Sequence, residues 1–205
     1  MNTRRRIFLA SASPRRRELL GMLFSDFEIL RPDADETSGE QDPAALVVEL
    51  SRRKARAGRE LLLREGREAG ALIIAADTVV FCGGRILGKP KDPEDAERML
   101  RLLSGRRHEV FTGLTVLSGE REVSCAEESG VVFAPLEEAE IRAYARCGEP
   151  DDKAGAYAVQ GKGAAVLRAV EGSYHNVMGL PVERLYRILK DPFGFSPSEL
   201  IGGKN

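Results

Sequence analysis

Asp77 stands inside an apolar, β-branched run, Ala71-Leu72-Ile73-Ile74-Ala75-Ala76-Asp77-Thr78-Val79-Val80. That composition predicts a buried strand. A carboxylate within it is costly unless a cation, a metal or hydrogen-bond donors meet it. In open α/β sheets, ligands gather beyond the carboxyl ends of the strands, where such an acid would lie. The competing reading is an Asp that caps a turn or pairs with a neighbouring Arg, and the stretch alone favours neither.

Cations that could meet an anion occur at three places. In Ser11-Ala12-Ser13-Pro14-Arg15-Arg16-Arg17, Ser13 suits an N-cap and Pro14 the first helical position. Three arginines then occupy a first turn whose dipole disfavours positive charge. Free N–H groups and guanidiniums at one helix start favour a phosphate site over a solvated basic helix. Lys54 falls on the apolar stripe of a long helix, where it either snorkels to the surface or reaches a buried anion. Lys89 sits in the turn Gly88-Lys89-Pro90. Between residues 31 and 41 lies an acidic loop with Asp33, Asp35, Glu36 and Glu40, a composition that suits either plain solvation or a hard divalent cation. Gln160, among small residues, can offer its amide to a planar ligand. Gly161-Lys162-Gly163 lacks the Ser/Thr and the spacing of a phosphate-binding P-loop.

The elements that must position these groups alternate between strand and helix. Strands are predicted at 7–10, 27–30 and 71–80, with a hairpin turning at Gly83-Gly84. Asp42-Pro43 opens a helix to about residue 64, its stripe read as Leu46, Leu50, Ala57 and Leu61. Asp92-Pro93 opens a second helix that ends at Gly105. Segments 108–117 and 122–134 read as an antiparallel pair, 135–146 as an amphipathic helix, 164–170 as a strand, 172–176 as a loop and 181–190 as a closing helix. Residues 191–205, rich in Pro and Gly, read as a loose tail after a domain spanning 1–190.

The 205 residues suffice for one domain or two lobes; 42% hydrophobic and 31% charged residues exclude general disorder. With 31 Lys plus Arg against 32 Asp plus Glu, the net charge of −1 argues against a nucleic-acid polymer as partner. Cys82, Cys125 and Cys147 form no disulfide framework or zinc spacing, which fits a reducing cytoplasm. No stretch is long enough to cross a membrane as a helix.

Taken in order, these segments resemble the Maf family of nucleoside triphosphate pyrophosphatases. The resemblance runs from about residue 7 to 190. It is carried by Leu9-Ala10-Ser11-Ala12-Ser13-Pro14-Arg15-Arg16, the Lys54 helix, Ala76-Asp77-Thr78, Gly88-Lys89-Pro90, Thr112-Gly113, Asp152-Lys153-Ala154-Gly155-Ala156-Tyr157, Gln160-Gly161 and Asn176-Val177-Met178-Gly179-Leu180-Pro181. It implies an elongated α/β fold of the Maf and ITPase-like kind, with a mixed sheet flanked by helices and two lobes around a central cleft. It further implies a divalent cation (Mg²⁺ or Mn²⁺), a homodimer, and hydrolysis of a nucleoside triphosphate to the monophosphate and pyrophosphate. Members with the Ser-Pro-Arg and Gln-Gly pattern act on dTTP and UTP, and this sequence has both, as Ser13-Pro14-Arg15 and Gln160-Gly161.

The resemblance makes Asp77 the proton acceptor, with Glu36, rather than Asp35, as a second acid by position; both would serve the metal. Arg16, Lys54 and Lys89, with the Ser11–Ser13 loop, would meet the phosphates and neutralise the departing pyrophosphate. A carboxylate of ordinary pKa, about 3.9, is a weak base near neutrality, so either its site must raise that value or the metal must acidify the water. Arg15, Thr78 and Gln160 would govern the base: an amide can donate to O4 and accept from N3–H of a uracil-type edge, while Arg, a donor only, favours carbonyl oxygens. Two other readings compete: a pyrophosphatase for methylated pyrimidines, CTP or other nucleotides, and a non-catalytic nucleotide-binding regulator of cell division.

Overall fold

The computed structural model describes residues 5–202. Its first strand, β1 (Arg6–Ala10), buries its last four residues. Ser13 then caps α1 (Pro14–Leu20) by accepting from the Arg16 N–H. After β2 (Glu28–Leu30) the acidic loop runs without regular structure to Asp42, whose carboxylate caps α2 (Pro43–Arg64). Then come β3 (Ala71–Cys82) and β4 (Arg85–Leu87), joined at Gly83 and Gly84. Both glycines have positive φ, 56° and 76°, which a two-residue hairpin turn requires. The order continues with α3 (Pro93–Leu103), β5 (Arg107–Ser118), β6 (Arg121–Phe133) and α4 (Glu138–Ala145). It closes with β7 (Leu167–Glu171), α5 (Tyr174–Met178), α6 (Val182–Lys190) and α7 (Pro197–Leu200).

The described strands form one seven-stranded sheet in the order β2-β1-β3-β5-β6-β7, with β4 on β3. It is mixed: β1 runs parallel to both β2 and β3, whereas β3–β4 and β6–β7 are antiparallel. The expected mixed α/β sheet with flanking helices is therefore present.

The chain divides into two compact units, and β3, β5 and β6 each contribute a segment to both. The first unit holds the described residues up to Asp77, Thr112–Glu127, and those from Gly179 onward. Its core packs Phe8, Ala10, Leu30, Ala55, Leu62, Ile73 and Leu117. The second unit holds Thr78–Phe111 and Glu128–Met178. There α3 and α4 pack with Val110, Val131, Phe133 and Tyr157.

Four expectations are corrected. On α2 the buried residues are Val47, Leu50, Ser51, Ala55, Gly58 and Leu62, so the inward stripe is rotated from Leu46, Ala57 and Leu61. Small residues mark the true face because the helix lies close to the sheet: a Cβ added at Gly58 would stand 3.4–3.5 Å from Ala10, Leu30 and Ile73. Residues 161–166 form a 3-10 helix, and the strand begins only at Leu167. Gly161, Gly163 and two alanines offer little side chain for cross-strand packing. The expected loop at 172–176 is partly α5, because Ser173 Oγ accepts from the Asn176 N–H and starts a turn. Finally, the segment expected as a loose tail buries Phe193, Phe195 and Leu200. Phe195 meets Phe24 edge-on at 5.8 Å. Residues 203–205 of that segment, like residues 1–4 of the expected domain, lie outside the described residues.

Candidate active site

In the first unit, β3 delivers Asp77 at 9% exposure, and the rotated face of α2 delivers Lys54 to it. Lys54 Nζ lies 2.6 Å from Asp77 Oδ1 and 2.8 Å from Glu36 Oε1. One ammonium thus bridges a strand acid and a loop acid. The Lys54 and Asp77 side chains are 14% and 13% exposed, that of Glu36 61%. Of the two readings left open for Lys54, the inward one is observed: its ammonium meets two carboxylates.

The acidic loop is fastened so that Glu36 faces Lys54. Arg53 Nη1 donates to the carbonyls on either side of Glu36, to Asp35 O at 3.2 Å and Thr37 O at 2.6 Å. The same guanidinium pairs with Glu49, whose other oxygen accepts from Ser38 Oγ at 2.7 Å. Asp35 is differently employed. Its Oδ1 accepts from the Thr37 N–H at 2.8 Å, a bond that holds its carboxyl below the ordinary range, with Arg53 acting in the same direction. Glu36, and not Asp35, therefore shares Lys54 with Asp77.

Arg16 completes the cluster. Its Nε donates to Gly179 O at 2.8 Å and its Nη1 to Ser11 Oγ at 3.4 Å. Burial draws the Arg16 guanidinium below its usual pKa; Asp77 opposes that shift, Arg15 reinforces it and Glu36 opposes it. A guanidinium remains charged under such a shift. Ser11 Oγ also accepts from the Ser13 N–H at 3.2 Å, which tightens the loop entering α1. Ser11, Ser13, Arg15, Arg16, Glu36, Lys54 and Asp77 all belong to this unit. An open cavity of about 570 Å³ is lined by Ser11, Ser13, Arg17, Phe24, Phe27 and Arg31 among others. It reaches the loop before α1 but includes none of Asp77, Lys54 and Glu36, so the charged cluster rather than this cavity defines the candidate site.

The other three residues singled out lie in the second unit. Thr78 follows Asp77 directly on β3. Lys89 is exposed in its turn, whose preceding carbonyl, Gly88 O, accepts from the Gly155 N–H at 2.9 Å. Gly155, at φ 70°, approaches β3 so closely that a Cβ would fall 2.8 Å from Val80 Cγ2. Gln160 stands immediately before the 3-10 turn of Gly161–Val166.

The family model described as Maf-like protein matches residues 6–192. The chain belongs to the Maf-like protein family. Among its relatives, a protein of Carboxydothermus hydrogenoformans named dTTP/UTP pyrophosphatase is 50% identical over 188 residues, 91% of this chain and 98% of its own length. Proteins of the same name from Symbiobacterium thermophilum and Thermococcus onnurineus are each 45% identical over 92% of this chain, covering 94% and 98% of their own lengths.

Arg53, Glu49 and Gly179 were not anticipated as part of this Maf-like site. Glu49 and Arg53 do carry a sequence signal, an i,i+4 acid–base pair on α2. The Gly179 carbonyl carries none, because a backbone acceptor depends only on where the chain passes.

Proposed function

We propose that this Maf-like chain is a pyrophosphatase that converts dTTP and UTP to the monophosphate and pyrophosphate, the substrates for which its relatives are named. The observation that carries the reading is the Asp77–Lys54–Glu36 array beside Arg16, which gathers acid and base groups at one point of unit 1. In the reaction, water attacks the α-phosphorus and the bond from that phosphorus to the bridging oxygen breaks. Pyrophosphate leaves with the electron pair, and the water proton passes to the Asp77 carboxylate. Lys54 holds that carboxylate in place. Arg16 and the capped loop at Ser11 and Ser13 bind phosphate oxygens, a role we also assign to Lys89. Arg15, Thr78 and Gln160 are assigned to the base, with the Gln160 amide reading O4 and N3–H.

The donor chemistry suits a divalent cation. Asp77 and Glu36 present hard carboxylate oxygens around a single ammonium, and Mg²⁺ or Mn²⁺ takes one or two such groups and fills its remaining positions with phosphate oxygens and water. When bound, such a cation neutralises charge on the departing group and acidifies water. The three cysteines are all free, which supports a cytoplasmic setting. A homodimer rests on the family resemblance, and light scattering on the purified chain would test it.

The deciding experiment incubates the protein with dTTP, UTP, CTP, methylated pyrimidine and purine triphosphates and Mg²⁺ or Mn²⁺, reading pyrophosphate separately from phosphate. Pyrophosphate from dTTP and UTP is expected. Release of inorganic phosphate would overturn the reaction, faster turnover of CTP or a methylated pyrimidine would move the substrate, and binding without turnover would make the chain a regulator.

A further inference from the structure

We infer that Glu149 is the positioning residue of the Gln160 loop, fixing the backbone from which Gln160 selects uracil-type bases; the inference rests on the base-reading role proposed for Gln160. All the groups concerned lie in the second unit. Glu149 Oε1 accepts from the Gly163 N–H at 2.8 Å and from the Tyr144 hydroxyl at 2.7 Å, and Oε2 accepts from the Lys162 N–H at 3.0 Å. The Tyr144 oxygen in turn accepts from the Ala158 N–H at 3.1 Å. One carboxylate, with one relayed hydroxyl, therefore holds the chain on both sides of Gln160, at 158 and at 162–163.

The loop is closed too tightly to admit a side chain at Gly161 or Gly163. A Cβ at Gly163 would fall 2.1 Å from Ala158 O and 2.5 Å from the Tyr144 oxygen. At Gly161, with φ 77°, it would fall 2.4 Å from Glu149 Oε2. Gln160 is thus the side chain carried by a turn whose flanks meet each other and whose N–H groups point at Glu149. Burial pushes the Glu149 carboxyl up, but the Tyr144 hydroxyl, the Lys162 and Gly163 N–H groups and the Lys153 charge bring it below the ordinary Glu range. It is therefore an ionised acceptor at neutral pH. A loop residue that reads a base by hydrogen bonds needs this fixity, because an amide displaced by an ångström loses both of its bonds.

The test compares kcat and KM on UTP, dTTP, CTP and ATP, with Mg²⁺, for the full chain and for Glu149→Ala, Glu149→Gln, Tyr144→Phe, Gln160→Ala and the double variant Glu149→Ala/Gln160→Ala. In Glu149→Ala the UTP-to-ATP ratio of kcat/KM is expected to fall about tenfold, through KM for UTP rather than kcat. Glu149→Gln, which keeps one acceptor oxygen, restores part of it. The double variant falls no further than Gln160→Ala alone, since Glu149 acts through Gln160. A ratio left intact in Glu149→Ala with only the melting temperature lowered overturns the inference, and so do losses that add in the double variant. If Glu149→Ala does not fold, Tyr144→Phe carries the test: it removes only the hydroxyl between Ala158 and Glu149, and an unchanged ratio there overturns the inference. If Gln160→Ala itself leaves the ratio intact, the base-reading role falls and this inference with it. If Gln160→Ala collapses the ratio and Glu149→Ala does not, only this inference falls.

Discussion

The ammonium of Lys54 lies 2.6 Å from the Asp77 carboxylate, and both side chains are nearly buried. Removing one member of such a pair strands the other, at a cost of about 3 kcal/mol. Lys54→Met is expected to lower stability by about that amount and to abolish pyrophosphate release. Asp77→Asn is expected to cut kcat about a thousandfold while nucleotide binding survives, because it removes the proposed proton acceptor and leaves Arg16 and the loop before α1 intact. The double variant, Lys54→Met with Asp77→Asn, should regain most of the lost stability and none of the activity. Denaturant titration and calorimetric binding read the two effects apart, and undiminished turnover in Asp77→Asn would refute its role.

Away from the Lys54–Asp77 pair, Arg53 clasps the carbonyls on both sides of Glu36. Arg53→Ala should therefore change global stability by less than about 1 kcal/mol, as expected for a half-exposed arginine. Activity should fall more, by about three- to tenfold, because Glu36 loses its fixed position. Arg53→Lys should not restore it, since a lysine has no second nitrogen to hold Glu49 while the first serves both carbonyls. Equal activity in all three proteins would show that the loop is held by other means.

His108 is fully buried, 2.8 Å from the Tyr157 hydroxyl and edge-on to Phe133. Burial pushes its pKa down from 6.5 to about 4, with Arg107 acting in the same direction. The unfolded chain therefore binds a proton that the folded one refuses between these values. Stability from this group is complete above about pH 6.5 and is lost as pH falls toward 4, by up to about 3 kcal/mol. Urea midpoints measured from pH 7.5 to 4.5 should show this slope, and His108→Phe should flatten it. A slope unchanged by that substitution would assign it to carboxylates instead.

At Gly113 an added Cβ would fall 2.0 Å from Val47 O, a backbone atom of α2 that cannot swing aside. Gly113→Ala should force helix and sheet apart and cost more than about 3 kcal/mol, visible as a lowered melting temperature. By contrast, Gly119→Ala meets no neighbour within 4 Å, and its cost should be limited to the strain of its positive φ of 55°.

The strand carrying Asp77 and the caps Ser13, Asp42 and Asp92 were legible in the sequence because they depend on local composition. The face of α2 is not legible from hydrophobicity because Ser51, Ala55 and Gly58 serve it by smallness, letting the helix lie close to the sheet. Lys54 reads as inward even so, since it follows Leu50 by four residues and Leu50 belongs to both the expected face and the observed one. That Glu36 meets Lys54 goes with Arg53 gripping the backbone on both sides of it, which no pattern of side-chain types announces. Similarly, the C-terminal segment reads as loose from its Pro and Gly, but Phe193 and Phe195 are buried against the fold.

The bond from Arg16 to the carbonyl of Gly179 joins residues 163 positions apart. Ribosomal synthesis runs from the N-terminus at about 5–20 residues per second, so the helix bearing Arg16 is made many seconds before its acceptor exists. The Nε bond of Arg16 must wait until nearly the whole chain has emerged. This one contact of the candidate site is thus among the last to mature, and a nascent or C-terminally truncated chain carries Arg16 without its Gly179 acceptor.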